Sequence, residues 1–102
     1  MCIRDRVSGN IKSDKKIDLI SGTFPAGTLS GAPKHKAMQL IEDHENISRE
    51  FYGGAIGFMG FNGDFNHAII IRSFLSKNQA LYFQAGAGIV SKSSPQNELK
   101  EV

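Results

Sequence analysis

The sequence predicts an α+β fold, and three stretches predict it. Ala37, Leu40, Ile41 and His44 recur at the spacing of one helix face. Segments 55–61 and 67–75 have strand composition and flank Asn62-Gly63-Asp64, a hairpin sequence whose central residues tolerate positive φ. Ser94-Pro95 has the chemistry of a helix start: a hydroxyl N-cap, then a residue whose missing N–H costs nothing at the first helical position.

Size and composition set the frame for these elements. A chain of 102 residues is at most one small domain, and equally a part of a larger one. A 40% hydrophobic share against 22% charged is the balance of a folded soluble protein and excludes a disordered tail. So short a chain buries a modest share of its surface, which makes independent stability marginal. The net charge of +2 is spread along the chain, with only Lys34 and Lys36, and Lys15 and Lys16, close together, so a nucleic-acid partner is not expected. Cys2 is the sole cysteine, which excludes an internal disulfide and a cysteine-rich metal site. The longest aliphatic run, 68–71, is far too short to span a bilayer, and no signal-peptide pattern opens the chain. No membrane partner is expected, and the location expected is cytoplasmic.

In chain order, residues 1–6 match neither a helix nor a strand pattern, and Val7 can begin a short strand running into Ser8-Gly9-Asn10. Residues 14–24 carry Ile17, Leu19, Ile20 and Phe24, a short amphipathic helix started by Ser13 or Asp14 and broken by Pro25-Ala26-Gly27. The next helix is expected over 33–45, with Pro33 at its first position and Asn46 as its stop. Three strands follow, 55–61, 67–75 and 80–84, joined by Asn62-Gly63-Asp64 and Lys77-Asn78, which reads as an antiparallel meander. The final helix has hardly begun at Val102, and an end inside a helix argues for truncation.

Several features could carry chemistry. Ala85-Gly86-Ala87-Gly88 follows a strand, so an anion could approach its backbone N–H groups closely; a tight turn explains it equally. It is not a dinucleotide fingerprint, lacking the third glycine and an immediate helix. Gly27-Thr28-Leu29-Ser30-Gly31-Ala32-Pro33-Lys34 approaches a helix N-terminus without the spacing of a phosphate loop, and a plain capped loop with Ser30 satisfying the helix end is the alternative. Arg72 closes an apolar run in an expected central strand, sharing a face with Ile70, which suggests a carboxylate partner from protein or ligand. Glu98 and Glu101 lie on one helix face, where they could bind Mg²⁺ or simply be solvated. Tyr52, before Gly53-Gly54, is either a buried aromatic or a ligand-facing hydroxyl. His44 is expected at a core edge, and His35 and His67 at the surface, with no shared metal spacing.

Together the segments resemble the chorismate-utilising enzymes, the family of anthranilate synthase component I, aminodeoxychorismate synthase component I and isochorismate or salicylate synthases. Four stretches carry the resemblance: Phe24-Pro-Ala-Gly-Thr-Leu-Ser-Gly-Ala-Pro-Lys34, Tyr52-Gly-Gly-Ala-Ile-Gly57, Ile69-Ile-Ile-Arg72-Ser and Gln84-Ala-Gly-Ala-Gly-Ile89. The ending Ser94-Pro95-x-x-Glu98-x-x-Glu101 also fits. The resemblance implies a fragment of an α+β fold of two packed antiparallel sheets with flanking helices. Residues 7–102 would be the C-terminal part of its chorismate-binding catalytic domain, truncated at both ends, with residues 1–6 unmatched.

Within the family, Pro25-Ala26-Gly27-Thr28 is similar to the anthranilate-forming members. An aminodeoxychorismate-forming enzyme is the alternative, and a non-catalytic anion-binding module a more distant one. By position the resemblance implies that Tyr52 and Arg72 hold the enolpyruvyl carboxylate of chorismate, with backbone donors of Gly86, Ala87 and Gly88 completing the cradle. Thr28 would be catalytic, close to the ring. Glu101, supported by Glu98, would ligate an Mg²⁺ cofactor that binds the ring carboxylate. Ammonia would come from a partner glutamine amidotransferase subunit. The chain departs from the family where Cys2 stands in place of an acid–base histidine. An upstream metal-binding glutamate and a lysine of the last helix lie outside it. By itself the chain is expected to have no turnover.

Overall fold

In the computed structural model, which describes residues 6–12 and 15–102, the first helix, α1, covers Lys16–Thr23. Its expected starters Ser13 and Asp14 lie outside the described residues. The helix ends where sequence chemistry places the end. Phe24 caps it, giving its N–H to the Ile20 carbonyl at 2.9 Å, and takes the extended backbone that a following proline favours. Residues 7–12 form no strand, contrary to the reading of Val7; they are exposed and pair with no neighbour along a ladder.

A single helical turn, α2, occupies Gly27–Ser30, where the sequence reading expects only a loop. The Ser30 hydroxyl donates to the Ala26 carbonyl at 3.0 Å within this turn, so it does not cap the next helix. That helix, α3, covers Lys34–His44, and Pro33 lies just outside it with extended backbone rather than at its first position. Gly31, at φ +114°, lets the two helices approach: a Cβ there would stand 2.9 Å from that of Ala37. Only Ala37 and Ile41 of the expected apolar stripe are half-buried by this contact, while Leu40 and His44 are exposed. His44 is therefore not at a core edge, and its ring lies 2.8 Å from the Leu40 carbonyl.

Strands β1 (Ala55–Met59) and β2 (Phe65–Ile69) form the expected hairpin, in register from Ala55↔Ile69 to Met59↔Phe65. Gly60 closes the turn by donating to the Asp64 carbonyl at 2.7 Å, and Gly63 supplies the positive φ. Beyond the strands, Gly53 donates to the Ile70 carbonyl at 2.9 Å and Ile70 to the Gly54 carbonyl at 2.8 Å. The ladder thus continues to the Tyr52 turn. His67, expected at the surface, is half-buried: its ring lies 5.5 Å from that of Phe24 and 5.0 Å from that of Phe65.

The expected strand 67–75 is broken. Arg72 sits at φ +52°, a left-handed conformation that no strand can run through. Past it, β3 (Leu75–Lys77) and β4 (Ala80–Tyr82) form a second, separate hairpin, with Asn78 and Gln79 both at positive φ in the turn. The three-stranded meander is therefore two two-stranded antiparallel sheets. Phe74 and Phe83 flank the second one with rings 5.9 Å apart, edge to face. The last helix, α4, covers Pro95–Glu101, with Ser94 as N-cap accepting from the Asn97 N–H and Pro95 at the first position, as the sequence indicates.

Helices and antiparallel sheets together make the α+β class. The packing is loose. Among the described residues Ala26 is the single buried apolar side chain, while Ile56 and Phe58 on one face of β1 are 62% and 61% exposed. The radius of gyration, 16.1 Å, exceeds the roughly 13 Å of a compact 100-residue domain.

Candidate functional site

The connection from α3 to β1 builds the centre of the site. Tyr52 is set by a tight turn, its N–H donating to the Arg49 carbonyl at 2.7 Å, and Gly53 follows at φ +78°. A Cβ on that glycine would crowd Leu29 Cδ1 at 3.1 Å, so α2 lies directly against the turn. The Tyr52 side chain is half-buried and its hydroxyl faces Gly86, 3.4 Å from where a Cβ on that residue would stand. Two of the stretches singled out in the sequence, around Tyr52 and Gly86, thus meet.

Arg49, which sequence reasoning missed, organises this region. Its Nε donates to Glu45 Oε2 at 2.7 Å, and Nη2 donates to Glu45 Oε1. Its Nη1 donates to the Leu29 carbonyl at 2.6 Å, and the guanidinium carbon lies 5.9 Å from the centre of the Tyr52 ring. Hydrogen bonding from Arg49 holds the Glu45 carboxyl below its usual range, helped by the guanidinium charge and opposed by partial burial. The signal that could have found the pair is opposite charge at Glu45 and Arg49, four residues apart and just before Tyr52, although α3 itself ends at His44.

The other expected site residues surround this centre at varying remove. Thr28 is exposed on α2, beside the Leu29 that Arg49 and Gly53 contact. Arg72 is exposed at the end of the Gly54–Ile70 ladder, not on a strand face, so the face shared with Ile70 does not exist. Residues 83–90 form no helix or strand, and among the described residues none accepts a backbone bond from Gly86, Ala87 or Gly88. A recess of about 210 Å³ lies between α2, α3 and the Tyr52 turn, bounded by Leu29, Ser30, Ile41, Glu42, Arg49 and Tyr52. A complete small-molecule pocket is typically about 300 Å³ or more, so this recess by itself is too small to enclose such a ligand. Cys2 lies outside the described residues.

A family model described as chorismate binding enzyme matches residues 1–102. The chain belongs to that family. Among curated relatives, it is 49% identical over 102 residues to "Anthranilate synthase component 1" of Neisseria meningitidis serogroup B (strain ATCC BAA-335 / MC58), covering 99% of this chain and 21% of the relative. Proteins of the same name from Acetivibrio thermocellus and Aquifex aeolicus (strain VF5) are 46% identical over 102 residues and 47% over 85, covering 99% and 83% of this chain and 21% and 17% of each relative. The chain therefore spans about a fifth of the length of the curated relatives it matches.

Helix α4 carries two carboxylates, Glu98 and Glu101. Glu98 is half-buried and Glu101 exposed, one turn apart, and neither makes an ion pair among the described residues. Their oxygen donors suit a hard divalent cation that keeps several waters. Among the described residues no group of three or more His, Cys, Asp or Glu could enclose a metal, so this pair is at most part of a coordination shell. No helix among the described residues is long and apolar enough to cross a membrane.

Proposed function

We propose that this chain forms part of the chorismate site of an anthranilate-forming lyase. Identity of 49% to a protein named "Anthranilate synthase component 1", over essentially the whole chain, carries the reading. In it, residues 7–102 are the C-terminal part of the catalytic domain. Arg72 grips the enolpyruvyl carboxylate with charge-assisted hydrogen bonds, and the Tyr52 hydroxyl and the N–H groups of Gly86, Ala87 and Gly88 complete the cradle. The approach of Tyr52 to Gly86 supports this grouping, because one small anion can contact both.

Thr28 stands near the ring as a catalytic hydroxyl. Glu101, with Glu98 in support, would hold Mg²⁺, and Mg²⁺ when bound supplies orientation and charge neutralisation at the ring carboxylate. The net chemistry adds ammonia at C2 with loss of the C4 hydroxyl as water. The ring then loses the C2 proton and the enolpyruvyl group, which takes up a proton at its methylene carbon to become pyruvate, leaving the aromatic amine. Ammonia comes from a glutamine amidotransferase partner, and the enzyme works in the cytoplasm.

The test is product identification in a full-length relative whose own segment is replaced by residues 1–102 of this chain. Supplied with chorismate, Mg²⁺ and ammonium, it is expected to release anthranilate and pyruvate in equal amounts, and to lose both on Arg72→Ala. Release of 4-amino-4-deoxychorismate without pyruvate would overturn the choice of reaction and keep the family.

A further inference from the structure

The Glu45–Arg49 pair is more constrained than an ordinary surface ion pair. The planar guanidinium is fixed by a two-point fork on the Glu45 carboxylate, and a planar group so held can aim its remaining arm in one direction only. That arm meets the Leu29 carbonyl at 2.6 Å. The guanidinium also lies over the Tyr52 ring at 5.9 Å, and the Arg49 carbonyl accepts the Tyr52 N–H at 2.7 Å. One residue thus ties together the end of α3, the single turn α2 beside Thr28, and the tyrosine whose hydroxyl faces Gly86.

We infer that Arg49 is a positioning residue for the chorismate site, holding the turn that carries Thr28 and the ring of Tyr52 in one fixed arrangement without touching substrate. The ligand in this statement rests on the proposed function; the clamp itself does not. A partly exposed ion pair between residues four apart has little energetic weight, so a clamp must be seen in what it positions rather than in stability. Lysine at position 49 keeps the charge but cannot form the fork and reach Leu29 together.

The test uses the same full-length relative carrying residues 1–102, with Arg49→Lys, Tyr52→Phe and the double variant. Arg49→Lys is expected to raise KM for chorismate about tenfold, as for loss of one charge-assisted contact. It also lowers kcat, because Thr28 loses its placement, whereas Tyr52→Phe changes mainly KM. The double variant is expected to be little worse than Arg49→Lys, which already displaces the hydroxyl that Tyr52→Phe removes. Multiplicative effects, or an unchanged KM, overturn the inference. Amide hydrogen exchange gives a readout free of turnover: segments 27–31 and 51–54 exchange faster in Arg49→Lys, and unchanged exchange there also overturns it. A wild-type transplant that makes no anthranilate would sink the proposed function, while the exchange result would still decide the clamp. Should Arg49→Lys fail to fold, Glu45→Gln loosens the same fork and carries both measurements.

Discussion

The Tyr52 hydroxyl faces Gly86, 3.4 Å from the point where a Cβ on that glycine would stand. Gly86 is not held at positive φ, so its value lies in space rather than in backbone freedom. Gly86→Ala is therefore expected to leave the melting temperature nearly unchanged, since its methyl just touches the oxygen. Gly86→Leu should displace the hydroxyl and raise KM for chorismate by about tenfold or more in the full-length relative carrying this segment. Steady-state kinetics on the two variants checks the contrast.

The hairpin makes a sharper prediction. Gly57 lies opposite His67, and a Cβ there would stand 2.8 Å from His67 Cα and closer still to the Asn66 carbonyl oxygen. Backbone cannot yield as a side chain can, so Gly57→Ala should cost about 1–3 kcal/mol. Urea unfolding of the same full-length protein measures it, and a cost near zero would mean the strands part freely.

Acid weakens the Glu45–Arg49 fork. The folded-state pKa of Glu45 is depressed, chiefly by its hydrogen bonds from Arg49. A depressed carboxyl contributes stability that is fully present above its unfolded value, about 4.3, and is lost as pH falls through the lower folded value. The side chain is 37% exposed, so the contribution is small. Wild type minus Glu45→Gln stability is expected to shrink below pH 4.3 or so and to be flat from pH 6 to 8. Chemical denaturation across that range tests the sign.

The α4 carboxylates can be tested by metal dependence. Glu101→Gln is expected to raise the Mg²⁺ concentration needed for half-maximal turnover by at least about tenfold, and Glu98→Gln by less, since a ligand matters more than its support. Equal, small effects would assign both residues to a solvated helix face.

The elements legible in the sequence were those whose signals are local. Ser94-Pro95 stated the start of α4, and Asn62-Gly63 stated the first hairpin, because capping and positive φ depend on the residue alone. The second turn, expected at Lys77-Asn78, lies one residue later, at Asn78 and Gln79, with Lys77 still in β3. The run 67–75 misled because its composition is that of a strand throughout, and nothing local forces Arg72 to φ +52°. His67 was misplaced because its burial depends on Phe24, which the chain brings from a distant helix end. Tyr52 and Arg72 stand out in the sequence by their surroundings, and the family resemblance alone gives them a ligand. Arg49 escaped because its partners Leu29 and Tyr52 become neighbours only when α2 docks on Gly53.

The bare outer face of β1, with Ile56 and Phe58 turned to water, has a consequence beyond the fold. A stretch with so little of its own interior cannot hide these side chains while it waits for companions. Prepared as a separate 102-residue piece, it would be prone to self-association through this strand, because apolar side chains left in water are covered by whatever surface comes within reach.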